Sequence, residues 1–453
     1  MRQWSAWQEI GGEPRETGQL TESSHRFIIM EMRILIKDGF VVDPGGRREG
    51  KYDILVENGI VSQVSRKIGA KVEKVIDARD KYVFPGLIDM HSHLREPGRE
   101  DEETIYTGSL SAVSGGFTTV CCMPNTTPPL DNKVTIRFII DRSREALCEV
   151  LPVGALTVNR EGKELPAYGE MVEEGAVAFS DDGDCVMNSL VMRRALEYSK
   201  LYKKPVISHS EDANLSKNGV MNEGEISTRM GLSGIPWQAE AIMVSRDVYL
   251  AGLTGGLLHL AHLSTEESVD IVRRAKRRNR NITCEVAVHH LFLTEEAVFG
   301  YNPDAKVMPP LRTPRDIKAL IAGLKDGTID CMVTDHAPHS AEEKGSGFEN
   351  APFGMIGFET ALPLAMELKN NGLTVSQIIA RFTSNPARVL GIERGRIARG
   401  KQADITVFDP AAEWVYSKEG IRSMSKNSPF TGRKMKGRVT ETIYKGRIVF
   451  PGE

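Results

Sequence analysis

The sequence has no long hydrophobic run. No apolar stretch reaches the roughly 18 residues that a membrane-spanning helix needs, and residues 1–30 are polar and acidic, without the apolar segment of a secretory signal. We therefore expect a cytoplasmic protein.

Paired cysteines and an excess of one charge are also missing. The six cysteines show no CxxC spacing and mostly lie in apolar, strand-like runs, which is typical of reduced core thiols and not of a disulfide framework. The formal net charge is −3. The one basic run, "RRAKRRNR" at 273–280, indicates a solvated helix face, so nucleic acid is not expected as a partner.

The chain divides into segments of different character. Residues 1–31 have weak periodicity and many turn formers, and we expect them to form a flexible N-terminal extension. Strand-like alternation in 32–84 has counterparts in 393–453, so both ends are predicted to share one small β-sandwich domain. Between them, 85–392 alternates short apolar runs with helical segments.

This middle region predicts an α/β fold, a (β/α)₈ barrel. The eight strand-like runs are 87–94, 118–124, 150–157, 177–182, 206–211, 257–263, 282–290 and 331–339, and helical segments between them include 131–147, 188–203, 237–254, 265–279 and 313–326. Such alternation is typical of a parallel barrel with both sheet faces buried.

Polar side chains stand where the predicted strands end, which is where this fold builds its active sites. They are His91 and His93 on the first strand, Asn125 after the second, Asp182 on the fourth, His209 on the fifth, His262 on the sixth and Asp335 on the eighth. A single strand histidine is usually a hydrogen-bonded core residue. Four histidines and two aspartates at one mouth instead indicate a metal centre, and a donor set without thiolate suits Zn²⁺ or a similar ion.

The spacing suggests a site for two ions. His91 and His93 lie two residues apart on a strand, so both side chains reach one face and one ion. His209 and His262 can supply a second ion. Two adjacent cations require a shared anionic ligand, and the strand-four carboxylates Asp181 and Asp182 are in position to bridge them.

Seven motifs carry a family resemblance. They are "DMHSHLREPG" (89–98), "MPNT" (123–126), "AFSDDG" (178–183), "CEVAVHHLFLTEE" (284–296), "PPLR" (309–312), "TDHAPH" (334–339) and "TSNPAR" (383–388). In this order they resemble the dihydroorotase family of the amidohydrolase superfamily, in its long bacterial and archaeal type, from about Met32 to the C-terminus.

The resemblance implies a function and roles for named residues. The activity would be the reversible cyclisation of N-carbamoyl-L-aspartate to L-dihydroorotate in pyrimidine synthesis, with two Zn²⁺ per subunit. One zinc would bind His91, His93 and Asp335, the other would bind His209 and His262, and Asp182 would bridge them. The substrate would contact His93, Arg95, Asn125, Met308 and His339 and the backbone of Phe353 and Gly354.

The residue chemistry agrees with these roles. Asp335 can act as base and then as acid in amide hydrolysis, and the guanidinium of Arg95 suits a carboxylate, although a surface salt bridge is an alternative for Arg95. Asp181 is more simply a cap or a hydrogen-bonding neighbour of the site. We expect His259 and His289 to be packed strand residues, whereas His290 and His336 could orient metal ligands.

Three hypotheses remain in competition. Dihydroorotase leads. Another cyclic amidase, a hydantoinase or allantoinase, is the second, but those relatives normally bridge their metals with a carboxylated lysine, and "VAFSDDG" contains no lysine. The third is a noncatalytic dihydroorotase-like partner of aspartate carbamoyltransferase, a reading that the four metal histidines oppose. We expect a homodimer, and a complex with that transcarbamoylase is a further hypothesis.

Met308 is the one departure from the family pattern, which has asparagine before Pro-Pro-Leu-Arg. A thioether cannot donate the hydrogen bond that an amide offers the substrate ring. We therefore expect Met308→Asn to strengthen substrate binding by about 1 kcal/mol, or roughly fivefold in KM. Met308→Leu, which has similar volume and no donor, should leave KM unchanged. Steady-state kinetics of the parent and both variants test the idea, and a KM of Met308→Asn equal to that of the parent would contradict it.

Overall fold

The computed structural model describes residues 33–451. The predicted N-terminal extension, residues 1–31, lies outside the described residues. Among those described, no helix combines the length and the apolar character needed to cross a bilayer.

Eighteen strands occur in the described part of the chain and are numbered in chain order. They are β1 Ile34–Asp43, β2 Arg48–Glu57, β3 Ile60–Ser65, β4 Lys74–Asp77, β5 Tyr82–Pro85, β6 Leu87–Ser92, β7 Phe117–Cys122, β8 Glu149–Ala155, β9 Ala178–Ser180, β10 Val206–Ser208, β11 Met221–Asn222, β12 Gly234–Ile235, β13 Leu258–Leu260, β14 Ile282–Ala287, β15 Cys331–Val333, β16 Ile405–Val415, β17 Lys434–Tyr444 and β18 Arg447–Pro451.

Twelve α-helices are described in the same residues. They are α1 Ile105–Ser114, α2 Lys133–Arg142, α3 Tyr168–Glu173, α4 Ser189–Leu201, α5 Glu225–Met230, α6 Gln238–Thr254, α7 Glu266–Lys276, α8 Pro314–Asp326, α9 Ala341–Lys344, α10 Phe358–Glu367, α11 Val375–Phe382 and α12 Ser384–Leu390. Short 3₁₀ turns span Ser143–Glu145, Val158–Arg160, Val288–Leu291, Glu295–Val298, Pro303–Ala305, Leu368–Asn371 and Lys418–Gly420.

The predicted (β/α)₈ barrel is confirmed. Eight parallel strands pair in the order β6-β7-β8-β9-β10-β13-β14-β15, and each contains part of one predicted run. A parallel bridge between Ser92 and His336 joins the last strand to the first. Asp89 on the first strand also contributes to this closure, because its carboxylate accepts hydrogen bonds from the backbone nitrogen (3.1 Å) and hydroxyl (2.5 Å) of Thr334. The C-terminal ends of the first and the last barrel strand therefore lie side by side at the same mouth of the barrel.

Local sequence signals begin and end the surrounding helices. Asn132, Asn188, Thr265 and Thr313 cap the first turns of α2, α4, α7 and α8 by accepting backbone N–H bonds with their side chains. At the other end of α8, Gly327 adopts a left-handed conformation. Such caps are readable from the sequence, which explains why the predicted helices are found within a few residues of their expected positions.

The barrel interior is packed at its N-terminal end. One buried apolar cluster draws side chains from, or next to, all eight barrel strands and includes Ala387 and Leu390 of α12. Asn385 of this helix donates to the carbonyl of Asp330, the residue before β15 (2.7 Å). Because α12 covers this end, the C-terminal end of the strands is the open one.

The two ends of the described chain form a second sheet together. Its strands run β18-β17-β16-β5-β1-β2-β3, with β4 alongside β1, and all pairs are antiparallel except those of β1 with β4 and β5. Ile36 and Val56 from the N-terminal part share a core with Ile405 and Ile443 from the C-terminal part. One continuous sheet thus contains strands from both the N-terminal and the C-terminal part of the described chain.

Candidate active site

One cavity at the C-terminal mouth of the barrel collects nearly all of the predicted site residues. It has a volume of about 300 Å³. Eleven predicted residues line it, namely His93, Arg95, Asn125, Asp182, His209, His262, Met308, Asp335, His339, Phe353 and Gly354, together with Gly183, Glu211 and Ala337. The twelfth, His91, is fully buried beside Asp182 and Asp335.

Two histidines and two aspartates meet at the buried wall of the cavity. Nε2 of His91 lies 2.9 Å from Oδ1 of Asp182 and 3.8 Å from Oδ1 of Asp335. Nε2 of His93 lies 3.3 Å from the same Asp335 oxygen and 3.5 Å from Oδ2 of Asp182. The strand-four carboxylate therefore faces both histidines of the first strand.

The remaining two histidines lie together on the adjacent side. Nδ1 of His209 is 3.0 Å from Nε2 of His262. One set of potential ligand atoms groups His262 with His91 and Asp182, and a second groups His91, His93 and Asp335. Asp182 thus stands between the two predicted ligand pairs.

The donor set fits metal ions. Two ligands of one tetrahedral Zn²⁺ are separated by about 3.3 Å, given metal–ligand bonds of about 2.0–2.1 Å, and the distances between donor atoms here are similar. Nδ1 of His91 is 2.8 Å from Glu285, and a carboxylate only accepts, so in the neutral ring Nε2 carries a lone pair. This buried nitrogen has no hydrogen-bond partner among the described residues, although Asp182 is close. Burial opposes protonation of the ring, but Asp182 and Glu285 raise the pKa of His91 well above its usual value, so without a metal ion a proton lies between His91 and Asp182. A metal ion bound there would take the place of that proton.

The protonation states of the carboxylates and of His262 also favour the binding of cations. Burial opposes ionisation of Asp335, but the hydrogen bond from His93 and the charge of His91 hold the pKa of Asp335 well below its usual range. Burial likewise opposes the ionised form of Asp182, whose pKa is held well below its usual value by His91. For His262, burial and the charges of His209 and His91 lower the pKa to about 3, so its imidazole is in the neutral form that binds metals.

Glu285, on β14, is a site residue that the sequence reasoning missed. Its carboxylate accepts from Nδ1 of His91 at 2.8 Å and from Nε2 of His259 at 3.0 Å. Burial opposes its ionisation, yet the hydrogen bonds from His259 and His91 lower its pKa to about 2. A carboxylate behind a ligating histidine fixes the ring orientation and the tautomer. His259, predicted to be a packed strand residue, is part of this chain and is itself held by Thr283.

Adjacent Asp181 and Asp182 point in different directions. Asp181 accepts from the backbone nitrogens of Leu156 (2.8 Å) and Thr157 (2.9 Å) and from the Thr157 hydroxyl. Burial raises the pKa of Asp181 to about 6, against these hydrogen bonds. Arg160 donates to the backbone carbonyls of both aspartates. Asp181 therefore joins two loops, and only Asp182 lines the cavity.

Arg95 and His339 lie together at another side of the mouth, where Arg95 is the cation and burial lowers the pKa of His339 to about 2, so its ring is neutral. Nη2 of Arg95 is 3.1 Å from Nε2 of His339, and Nε of Arg95 donates to the Pro338 carbonyl. Both side chains are supported by Glu102, which accepts from Nδ1 of His339 at 2.8 Å and forms an ion pair with Arg95 at 3.1 Å. Glu102 is a second residue that the sequence reasoning missed, because nothing in "REDEE" distinguishes it from its acidic neighbours.

The other predicted substrate residues complete the cavity. Asn125 bridges two predicted metal ligands, since its side-chain oxygen is 2.8 Å from Nδ1 of His93 and its amide donates to Asp182. Met308 is half-buried in the wall. Gly354 has φ +136°, and a Cβ at this position would lie 2.6 Å from Cβ of Ala337, so the backbone can approach the cavity only without a side chain.

Three site residues adopt left-handed backbone conformations. Arg95, His262 and Asp335 have φ values of 61°, 26° and 48°. Such conformations cost about 1–3 kcal/mol each in residues other than glycine, and they persist where the surroundings impose them. Here each follows a barrel strand and turns its side chain into the mouth.

The remaining histidines lie outside the ligand set. His336 stacks on Phe358 with ring centroids 4.1 Å apart and faces Glu103. His290 is 2.9 Å from the Pro309 carbonyl, so it supports the segment that carries Met308. His289 packs against His290 and is buried.

A larger groove of about 830 Å³ lies between α6 and α7 but contains no cluster of candidate ligands. Tyr249, Leu253 and Arg274 are among its lining residues. In the basic run, Arg273 forms ion pairs with Asp270 and Asp326 at the surface. The smaller cavity is therefore the better candidate for an active site.

Comparisons with known proteins identify relatives over nearly the whole chain. The "Dihydro-orotase-like" family matches residues 80–268, and the "Amidohydrolase family" matches 259–450. A dihydroorotase of Endomicrobium trichonymphae is 51% identical over 92% of this chain and 100% of the relative, and one of Pelobacter propionicus is 50% identical with the same coverage. Among solved structures, L-hydantoinase from Arthrobacter aurescens is 24% identical and superposes with a TM-score of 0.84, covering 93% of this chain and 97% of that one. This last similarity concerns the fold.

The two strand-four aspartates provide a matched pair of variants. Asp182→Ala should lose bound metal and activity, because it removes the carboxylate that faces both histidine pairs. Asp181→Ala should keep its metal but lose about 1–3 kcal/mol of stability, because the backbone and hydroxyl donors of Thr157 are left unpaired. Metal analysis and thermal unfolding measure the difference. Equal metal loss in the two variants would show that the wrong aspartate has been chosen.

Glu285→Gln should weaken metal binding by about 10–100-fold, because an amide cannot hold His91 and His259 as the carboxylate does. Competition with a chelator measures the affinity. Glu359→Gln is the control, since Glu359 accepts backbone hydrogen bonds from Arg422 and Ser423 and does not contact the predicted ligands. If both variants hold metal as tightly as the parent, Glu285 has no role in ordering His91.

Proposed function

The chain belongs to the dihydroorotase family of the amidohydrolase superfamily, and we propose that its barrel cavity catalyses the reversible cyclisation of N-carbamoyl-L-aspartate to L-dihydroorotate. It is a hydrolase acting on a cyclic amide bond. The observation that supports the location of the reaction is the cavity itself, in which side chains that could hold metal ions share one space with Arg95 and His339, which could bind a carboxylate. In cells, the reaction is a step of pyrimidine synthesis.

We infer two Zn²⁺ ions per subunit. His91, His93 and Asp335 would hold one ion, His209 and His262 the other, and Asp182 would bridge them. Zinc in such a site lowers the pKa of bound water to about 7 and polarises the scissile carbonyl. The position of Asp182 between the two histidine pairs supports this assignment.

Asp335 is the proposed proton carrier. Its pKa, held well below the usual range, keeps it ionised and able to accept a proton. In the hydrolytic direction, water adds to the ring carbonyl carbon, Asp335 takes the proton from that water, and the C–N bond breaks as Asp335 returns the proton to the ring nitrogen. The same steps in reverse close the ring and release water.

The other wall of the cavity would hold the substrate. Arg95 and His339 would bind the carboxylate, with Asn125 beside them, and Glu102 would keep the first two in position. The backbone of Phe353 and Gly354 and the side chain of Met308 would face the ring. A substrate that carries a carboxylate next to a cyclic amide matches this combination.

We also propose a cytoplasmic, homodimeric enzyme, and a complex with aspartate carbamoyltransferase remains a hypothesis. All six cysteines are free, and five of them are buried, which agrees with a reducing compartment. Light scattering of the purified protein, alone and with the transcarbamoylase, tests both assemblies.

The proposed function predicts that the zinc-loaded protein opens dihydroorotate, as followed by ultraviolet absorbance. Removal of the metal by a chelator should abolish turnover, and Zn²⁺ should restore it. Added bicarbonate should have no effect, because Asp182 needs no carbon dioxide to become a carboxylate. Turnover of hydantoin or allantoin, with none of dihydroorotate, would overturn the substrate assignment.

A further inference from the structure

Two lysines beside the cavity are buried without a carboxylate partner. Lys306 and Lys344 are only 3% and 4% exposed. Neither forms an ion pair within residues 33–451, and each ammonium group instead donates to two backbone carbonyls. A buried cation with neutral partners is costly, so its retention requires an explanation.

The electrostatic cost is visible in both side chains. Burial lowers the pKa of Lys306 to about 8, against the charge of Glu349. Burial lowers the pKa of Lys344 to about 7, where the charges of Lys306 and Arg95 add to the effect and that of Asp304 opposes it. These lysines therefore do not serve as ordinary stabilising ion pairs.

The four carbonyl partners connect separate pieces of the cavity wall. Three short segments each carry a residue that lines the cavity: 303–308 carries Met308, 339–344 carries His339, and 348–354 carries Phe353 and Gly354. All three are connections outside the barrel strands. A parallel bridge between His336 and Met355, the contact of His339 Nε2 with the Phe353 carbonyl (2.8 Å) and the donations of Asn427 to the Ala337 and Gly354 carbonyls hold the C-terminal end of the third segment. The stretch 348–352 lies beyond these contacts and needs others to fix its position.

Lys306 joins the first segment to the third. Its ammonium group donates to the carbonyls of Phe348 (2.8 Å) and Glu349 (2.9 Å). Its own backbone carbonyl accepts from the nitrogen of Gly354 at 2.8 Å. The ammonium nitrogen also lies 4.6 Å from the ring centroid of Phe353, within reach of a cation–π contact. One residue thus holds the third segment at both of its ends.

Lys344 connects all three segments. It is the last residue of α9, the short helix that begins two residues after His339. Its ammonium group donates to the carbonyls of Pro303 (3.0 Å) and Pro352 (2.8 Å). Lysine suits this task because a single nitrogen on a long stem supplies three donors.

We propose that Lys306 and Lys344 are positioning residues, which hold the segment 348–354 against the cavity so that the backbone of Phe353 and Gly354 meets the substrate ring. The inference rests on the proposed function for the identity of the substrate. It does not involve the metal ions, since neither lysine contacts a predicted ligand.

The proposal has a kinetic signature. The backbone of Phe353 and Gly354 would contact the ring in a part of the substrate that does not react, so its displacement removes binding that is equal in the ground and transition states. Loss of such uniform binding raises KM and leaves kcat nearly unchanged. A general loss of stability would not produce that split.

The test compares Lys306→Met and Lys344→Met with the parent enzyme in the zinc-loaded form. We expect KM for dihydroorotate to rise about tenfold or more in each, because two hydrogen bonds to the cavity wall are lost, with kcat within about threefold. Bound zinc should be unchanged. Hydrogen–deuterium exchange of the unliganded protein should be faster over 347–355, and Lys344→Arg, which keeps charge and donors, should recover part of the effect.

Lys276→Met is the matched control. Lys276 also donates to two backbone carbonyls, those of Gly327 and Thr328, but it forms an ion pair with Asp330 as well (2.6 Å) and lies at the closed end of the barrel. It should change stability without changing KM. A similar rise in KM in this variant, or unchanged KM and exchange in the two test variants, would overturn the proposal.

Two further outcomes are separable. If the methionine variants do not fold, Lys306→Gln and Lys344→Gln, which retain donors, carry the same comparison of exchange and KM. If the parent enzyme does not open dihydroorotate, the proposed function fails, whereas exchange over 347–355 still decides whether the lysines hold the segment.

Discussion

The structure of the mouth depends on the compensation of buried negative charge. Asp182, Asp335 and Glu285 are all almost inaccessible to solvent, and each faces at least one imidazole. Carboxylates are not retained in such surroundings unless cations or hydrogen-bond donors balance them. The histidines supply donors on one side and leave lone pairs on the other, so metal ions complete the balance. The carboxylate behind His91 and the strained backbone at Asp335 belong to the same arrangement.

Barrel closure places these groups together. Asp89 on the first strand holds Thr334 on the last, and His336 pairs with Ser92 one step further toward the mouth. The ligands on the first strand and the aspartate after the eighth are therefore neighbours, although more than 240 residues separate Asp89 from Thr334. Charge compensation and barrel closure depend on each other. In an open sheet the first and the eighth strand would not be neighbours, so neither the site residues nor Asp89 and Thr334 would meet.

Two kinds of segment form the wall of the cavity. The candidate metal ligands lie on a barrel strand or within two residues of its end, whereas connections further from the strands supply Met308, His339 and the glycine backbone. Substrate-binding surfaces on such connections are precise only if other contacts hold them. Glu102 behind Arg95 and His339, and the two buried lysines behind the 348–354 segment, provide such contacts. Under the proposed function, recognition would thus depend on residues that do not touch the substrate.

The sequence by itself determined the barrel and predicted most of the side chains that meet at its mouth, because apolar runs, helix caps and histidines at strand ends are local patterns. Strand position alone did not distinguish Asp182 from Asp181, and only the family resemblance favoured Asp182; the tertiary structure directs Asp182 into the cavity and Asp181 away from it. The sequence also did not reveal Glu285, whose partner His91 is 194 residues away, or Lys306 and Lys344, which resemble surface lysines in the sequence. Only the tertiary structure decided those roles, because each is defined by contacts between distant segments and by the burial that removes water from them.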